Sequence, residues 1–196
     1  VGMTTFAHEW GHAMHTQLAR AAQPFDLANY ATFIAEIAST CNEVLLAEYM
    51  YGRAKTRDEK VFYLGQKLEN LRGTFFRQTQ FAEFELKAHE LAEAGEGVSG
   101  EKFGQVYMDI LKRYMGPKMI LPDYLANEWA YIPHFFRSDF YYVYQYATSI
   151  TAGTWFAKSI LNGGKAEREN YLNVLRAGGS QYPVELLQKA GLDMTK

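Results

Sequence analysis

The sequence is poor in several things at once. It has one cysteine, Cys41, in 196 residues. No disulfide can form within the chain, and a reducing compartment, the cytoplasm, is the expected location. No apolar run reaches the roughly 20 residues of a membrane-spanning helix, so no membrane partner is expected. Charge of neither sign dominates: 20 Lys and Arg face 22 Asp and Glu, a formal net charge of −2. Without a basic stripe, nucleic acid is not an expected partner either. There are five prolines, and none interrupts residues 4–22, 27–51 or 57–94, which leaves long stretches free to be helical. Strand-like alternation is absent. So is a signal peptide, although Val1 is not a Met, and the chain is expected to be a piece whose natural N-terminus lies elsewhere.

What remains is apolar and aromatic. Hydrophobic residues make up 48% of the chain and aromatics 15%, many of them between Tyr124 and Phe156. Helices are expected over 4–22 and over 27–51, the second capped by Asp26 after Pro24. A long third helix is expected to follow Thr56-Arg57-Asp58 and reach about residue 94, with Gly65 and Gly73 marking kinks or close packing. An amphipathic helix over 101–114 closes at Gly116-Pro117, and residues 118–139 read as an irregular aromatic segment. Helix resumes over 140–161, then in two shorter pieces over 166–177 and 184–189. The expected class is all-α, with little or no β structure, in a single helical domain over 1–196.

The chemistry is concentrated near the start, in His8-Glu9-Trp10-Gly11-His12. On a helix, residues i and i+4 stand one above the other. His8 and His12 can therefore turn two imidazoles toward one ion, and such nitrogen ligands suit zinc. Glu9 is rotated about 100° from His8. From there it can reach a water on the metal without binding the metal itself, and can take that water's proton as it attacks a carbonyl. The spacing of an HExxH segment thus carries a hydrolytic mechanism. Small and apolar neighbours (Thr5, Phe6, Ala7, Trp10 and Gly11) suggest that this helix is buried, where a His pair with a carboxylate needs a partner.

A third ligand follows from register. Ten residues run from His12 to the end of the first helix, and ten more lead from Asp26 to Glu36, about 15 Å each way at 1.5 Å per residue. An antiparallel hairpin brings Glu36 back level with His12. Glu36 lies in the apolar run Phe33-Ile34-Ala35-Glu36-Ile37-Ala38, which argues against simple exposure. His8, His12 and Glu36 would leave the fourth position of one Zn2+ to water. Glu43, two turns beyond Glu36, is placed to accept a hydrogen bond from the outer nitrogen of a ligand histidine, His8 before His12. His15, three residues after His12, can touch substrate or complete a buried polar network. His89, among Glu85, Lys87, Glu90 and Glu93, reads as part of a solvated helix face.

The segment Thr5-Phe6-Ala7-His8-Glu9-Trp10-Gly11-His12-Ala13-Met14-His15 resembles the HExGHxxH helix of the thimet oligopeptidase and oligoendopeptidase F family. Residues Phe33 to Glu43 resemble the segment that carries the family's third zinc ligand. Ile132-Pro133-His134-Phe135-Phe136, with Phe140-Tyr141-Tyr142-Val143-Tyr144-Gln145-Tyr146, is similar to its substrate-binding His and Tyr segment. Gly178-Gly179-Ser180-Gln181-Tyr182-Pro183 resembles a late loop of the oligoendopeptidase F branch. The resemblance implies the catalytic half of a zincin-type oligopeptidase that cuts short peptides internally. It also implies that His134 and Tyr144 bind and polarise the scissile carbonyl, and that Tyr141 helps to position the peptide. On residue chemistry alone these tyrosines would be core aromatics with hydroxyls at the surface. Family members are much longer, so association with a missing N-terminal part, or a homo-oligomer, is expected.

Two functions of different class fit these observations. One is a zinc-dependent endopeptidase acting on short oligopeptides. The other is an inactive piece that binds peptide or metal as a helical module.

Overall fold

The computed structural model of the protein describes residues 2–137 and 141–195. Among them all regular structure is helical, and no helix is long and apolar enough to cross a membrane. The expectation was one domain over residues 1–196. The chain divides into two compact units: residues through Arg72 together with Thr148 onward form one, and Gly73–Ala147 the other.

In the first unit α1 (Met3–Ala22) ends at Gln23-Pro24, and α2 (Thr32–Arg53) follows. The second helix was expected to begin at residue 27 with Asp26 as its cap. Asp26 lies instead in a short 3-10 turn, Phe25–Leu27. The Leu27 carbonyl is not available to a longer helix, because it accepts a hydrogen bond from the Gly179 amide at 2.8 Å. A tertiary contact thus overrides a local start signal.

The helix α3 (Arg57–Leu71) opens with a capping box, Thr56 and Glu59 each holding the other's backbone amide. The single long helix expected after it is broken by a π turn, Arg72–Phe76, which contains Gly73, whereas Gly65 sits in regular helix. The remainder of the first unit comprises the body of α7 (Tyr144–Asn162) from Thr148 on, α8 (Lys165–Arg176) and α9 (Pro183–Lys189), the last with Pro at its first position. Ile34, Ile37 and Cys41 of α2 pack with Phe156, Leu175 and Leu187 in the core of this unit.

The second unit contains α4 (Arg77–Glu93), α5 (Gly100–Met115), a 3-10 run Asp123–Tyr131, the single turn α6 (His134–Arg137) and the start of α7. Ser99 caps α5 by accepting from the Lys102 amide, and Gly116 ends it at φ 77°. Its core is aromatic: Phe81, Phe84, Tyr107 and Phe135 meet with ring centroids 5–6 Å apart, several edge to face. The expected start of the last long helix at Phe140 lies outside the described residues.

Candidate active site

The metal-ligand candidates stand on α1 and α2, which run antiparallel. Gly11 makes this possible. A Cβ there would lie 2.6 Å from the Ala38 carbonyl oxygen and 2.6 Å from the Ser39 Cα. Only a glycine lets the two backbones come this close. One turn earlier, the Asn42 side-chain amide donates to the Ala7 carbonyl at 3.3 Å. On its far side α2 meets α7 in the same way, where a Cβ at Gly153 would lie 2.3 Å from Thr40 Oγ1.

The expectation that α1 is buried around the motif is not met. Phe6 and Trp10 are 64% and 63% exposed and stack on each other along the outer stripe. The inner stripe is Gly11, His15 and Ala19, all buried, with His8 and His12 at its edge. The apolar neighbours of the two histidines therefore belong to a different face of the helix from the one that packs.

Three atoms converge at that edge. His8 Nε2 lies 3.2 Å from His12 Nε2, and Glu36 Oε2 lies 3.4 Å from each. Among the described residues, His8, His12 and Glu36 form the one group of three such side chains able to hold a metal ion. The spacing can be tested against zinc. Four ligands at 2.0–2.1 Å in a tetrahedron stand about 3.3–3.4 Å from one another. The observed triangle has that size, so the donor set fits the ion.

Other side chains hold these donors in place. His8 Nδ1 and Glu43 Oε1 are 2.5 Å apart, and the other Glu43 oxygen accepts from Asn70 Nδ2 at 2.9 Å. Ser39 Oγ donates to Glu36 Oε2 at 2.9 Å. The Glu43 hydrogen bond raises the His8 imidazole above its ordinary range, against the effect of burial, with the charges of Glu43, Glu36 and Glu9 adding to it. Burial pushes the Glu36 carboxyl up, but hydrogen bonds from His12 and Ser39 and the charges of both histidines outweigh it and hold the group below its ordinary range. Glu9 is exposed, next to His8 on α1.

His15 is not open to a peptide. It is fully buried, its ring stacked on Tyr30 at 3.5 Å, and neither ring nitrogen has a hydrogen-bond partner among the described residues. Burial, and then the charge of His12, push its imidazole down to about 4. Neither reading of His15 is met among the described residues: the ring is closed to a peptide, and its nitrogens join no polar network. The residue is an inward packing group, and its neutral form is the one that fits there.

His134, Tyr141 and Tyr144 belong to the second unit. His134 opens α6, half-buried, with its ring stacked on Tyr142 at 5.0 Å. Tyr141 and Tyr144, each 39% exposed, line a groove of ≈ 750 Å3 together with Thr79, Glu85, Leu86 and Tyr114. His89 is half-buried rather than fully solvated, its ring 4.8 Å from that of Tyr141. Glu85, read from the sequence as part of a solvated helix face, is instead buried in α4. Its carboxylate accepts from the backbone amides of Tyr142 and Val143.

Ser39, Asn70 and Glu85 were missed by sequence reasoning. Ser39 is three residues from Glu36, so helical register could have found it. No local signal marks the other two, whose partners are 27 and 57 residues away.

Comparison with known proteins adds an independent line. The sequence pattern of Peptidase family M3 matches residues 2–196. Oligopeptidase PepF of Bacillus subtilis (strain 168) is 44% identical over 97% of this chain and 28% of its own length. The plasmid oligoendopeptidase F of Lactococcus lactis subsp. cremoris is 43% identical over 97% of this chain and 31% of its own. The crystal structure of oligoendopeptidase-F from Enterococcus faecium superposes with a TM-score of 0.80 at 40% identity, over 98% of this chain and 34% of that one. The chain thus spans about a third of the length of these relatives.

Proposed function

This chain belongs to Peptidase family M3, and on that premise we propose that it carries the zinc centre of a metalloendopeptidase that cuts internal bonds of short peptides. The observation that supports this best is the donor triangle of His8, His12 and Glu36, whose edges of 3.2–3.4 Å match tetrahedral zinc. The names of the relatives, oligopeptidase and oligoendopeptidase, agree with it.

His8 and His12 would hold the ion through Nε2 and Glu36 through Oε2. Bound zinc would supply a Lewis acid that acidifies water and polarises the peptide carbonyl. Glu43 accepts the Nδ1 proton of His8 and so keeps the Nε2 lone pair turned to the ion. Ser39 fixes the Glu36 oxygen that faces both histidines. Glu9 takes the proton of the attacking water on its carboxylate and delivers it to the nitrogen of the leaving amine. His134 and Tyr144 donate hydrogen bonds to the oxygen of the scissile carbonyl as it gains charge, and Tyr141 positions the peptide. These last three roles rest on the motif resemblance.

The test is metal analysis paired with turnover. After dialysis against zinc-free buffer the protein is expected to keep one zinc per chain and to cut an internally quenched peptide. Zinc below about one-tenth occupancy under replete conditions, where a formed site should be filled, rules the reading out. So does unchanged turnover in a Glu9→Gln variant.

A further inference from the structure

Glu85 is 1% exposed on α4, with buried Phe81 one turn before it and buried Phe84 beside it. A carboxylate in such surroundings is costly unless every lone pair is used. Among the described residues no cationic side chain is hydrogen-bonded to it, although His89 and His134 are near enough for their charges to act on it. Its partners are backbone amides: Tyr142 N donates to both oxygens at 3.1 Å, and Val143 N donates to Oε2 at 3.3 Å.

These amides lie where a helix has donors to spare. The Tyr142 and Val143 carbonyls already accept from Gln145 N and Tyr146 N, so the first turn of α7 begins there, and its leading N–H groups have no acceptor within the helix. A negative charge at this end also suits the helix dipole. Helix caps of this kind usually come from the residue just before the helix. Here the cap comes from another helix, 57 residues away in sequence. It therefore does more than satisfy donors, because it pins the start of α7 to α4.

Tyr141 and Tyr144 sit on either side of the two clasped amides, and both line the groove that Glu85 and Leu86 of α4 also line. We infer that Glu85 is a positioning residue for the proposed reaction, setting where Tyr141 and Tyr144 stand by clasping the backbone between them. This rests on the reading above, in which Tyr144 donates to the carbonyl oxygen and Tyr141 places the peptide. Both carboxylate oxygens accept. A glutamine at this position would turn an NH2 group toward an amide N–H and lose one half of the clasp.

A double-mutant cycle on the intact, zinc-loaded protein tests the inference, with Glu85→Gln made alone and together with Tyr144→Phe. Glu85→Gln alone is expected to lower kcat about 10–100-fold, as a small misplacement of a catalytic group does, with zinc content unchanged. In the Tyr144→Phe background the same change should cost several-fold less than it does alone, since one of the two groups it positions is already gone. Equal losses in both backgrounds would mean a merely structural role and overturn the inference, as would no loss in either. Should Glu85→Gln fail to fold, Glu85→Asp enters the same cycle, keeping the charge but withdrawing it by one methylene. If the wild-type protein cuts no peptide, or Tyr144→Phe leaves turnover unchanged, the proposed reading itself falls, and this inference with it.

Discussion

In the first unit the polar groups of the site stay partly open and face one another: His8, His12 and Glu36 leave their donor atoms at the edge of a helix pair, 3.2–3.4 Å apart, with room for an ion between them. In the second unit the key carboxylate is sealed inside and spends both oxygens on backbone amides. In the first arrangement Ser39 and Glu43 hold the side chains from behind and leave three inner atoms turned toward one point. The second is complete and holds something else in place. Side chains whose donor atoms converge on one point suit binding, whereas a carboxylate that spends both oxygens on fixed amides suits positioning.

Substitutions can break or sharpen this contrast. The largest effect is expected at Glu9, where Glu9→Gln should lower turnover by about 10²–10⁴-fold, the range of a lost general base, while zinc content stays at one per chain. Next is the acid stability of the first unit. With the folded-state value of His15 at about 4 and an unfolded value near 6.5, the unfolded chain takes up a proton that the folded chain refuses. This contribution is complete above pH ~6.5 and is lost as pH falls toward 4, by on the order of 3 kcal/mol. Urea midpoints measured across that window should fall for the wild type and fall much less for His15→Phe, which keeps a ring against Tyr30.

Smaller effects follow from the supports of the site. Glu43→Gln should weaken zinc binding about 10–100-fold, the usual result of removing a partner behind a ligand histidine, read by competition with a chromogenic chelator. Gly11→Ala forces a methyl against the α2 backbone and should cost about 1–3 kcal/mol of stability, as overpacking does, in thermal unfolding of the zinc-free protein. Asn70→Ala, one step further from the ion, should weaken zinc only a few-fold, less than Glu43→Gln by the same assay. A larger loss at Asn70 than at Glu43 would show that the order of support runs the other way.

Much of the first unit could be read from residue spacing. His8 and His12 follow from the i, i+4 rule, and Glu43 from two turns past Glu36. Glu36 is instructive because the counting that located it used a helix starting near Asp26. The helix starts at Thr32, and irregular chain makes up the difference. The conclusion survives because the close approach of Gly11 to Ala38 and Ser39 fixes the level at which α2 meets α1, whatever path the loop takes. The burial of His15 was not decidable, because a helix face alone does not say what lies across from it. Only Tyr30, brought back by the loop, settles that. In the second unit local signals gave helix existence but not the site. Which tyrosines line the groove depends on the Glu85 clasp, a contact with no trace in local periodicity. The π turn at Arg72–Phe76 and the division into two units were likewise set by tertiary packing.

The clamping of α2 between α1 and α7 has a consequence for how the protein is made. The Thr40 hydroxyl reaches the Ser149 carbonyl, 109 residues later in the chain. At a synthesis rate of about 5–20 residues per second, the hairpin that carries His8, His12 and Glu36 leaves the ribosome roughly 5–20 s before the helix that covers its other face. For that interval Ile34, Ile37 and Cys41 have no apolar cover from α7, α8 or α9. Nascent chains stalled before residue 148 are therefore expected to be cut within α2 by added protease, and chains released after residue 190 to resist it. The proposed zinc donors can meet early, but they become secure only when α7, α8 and α9 have joined α2.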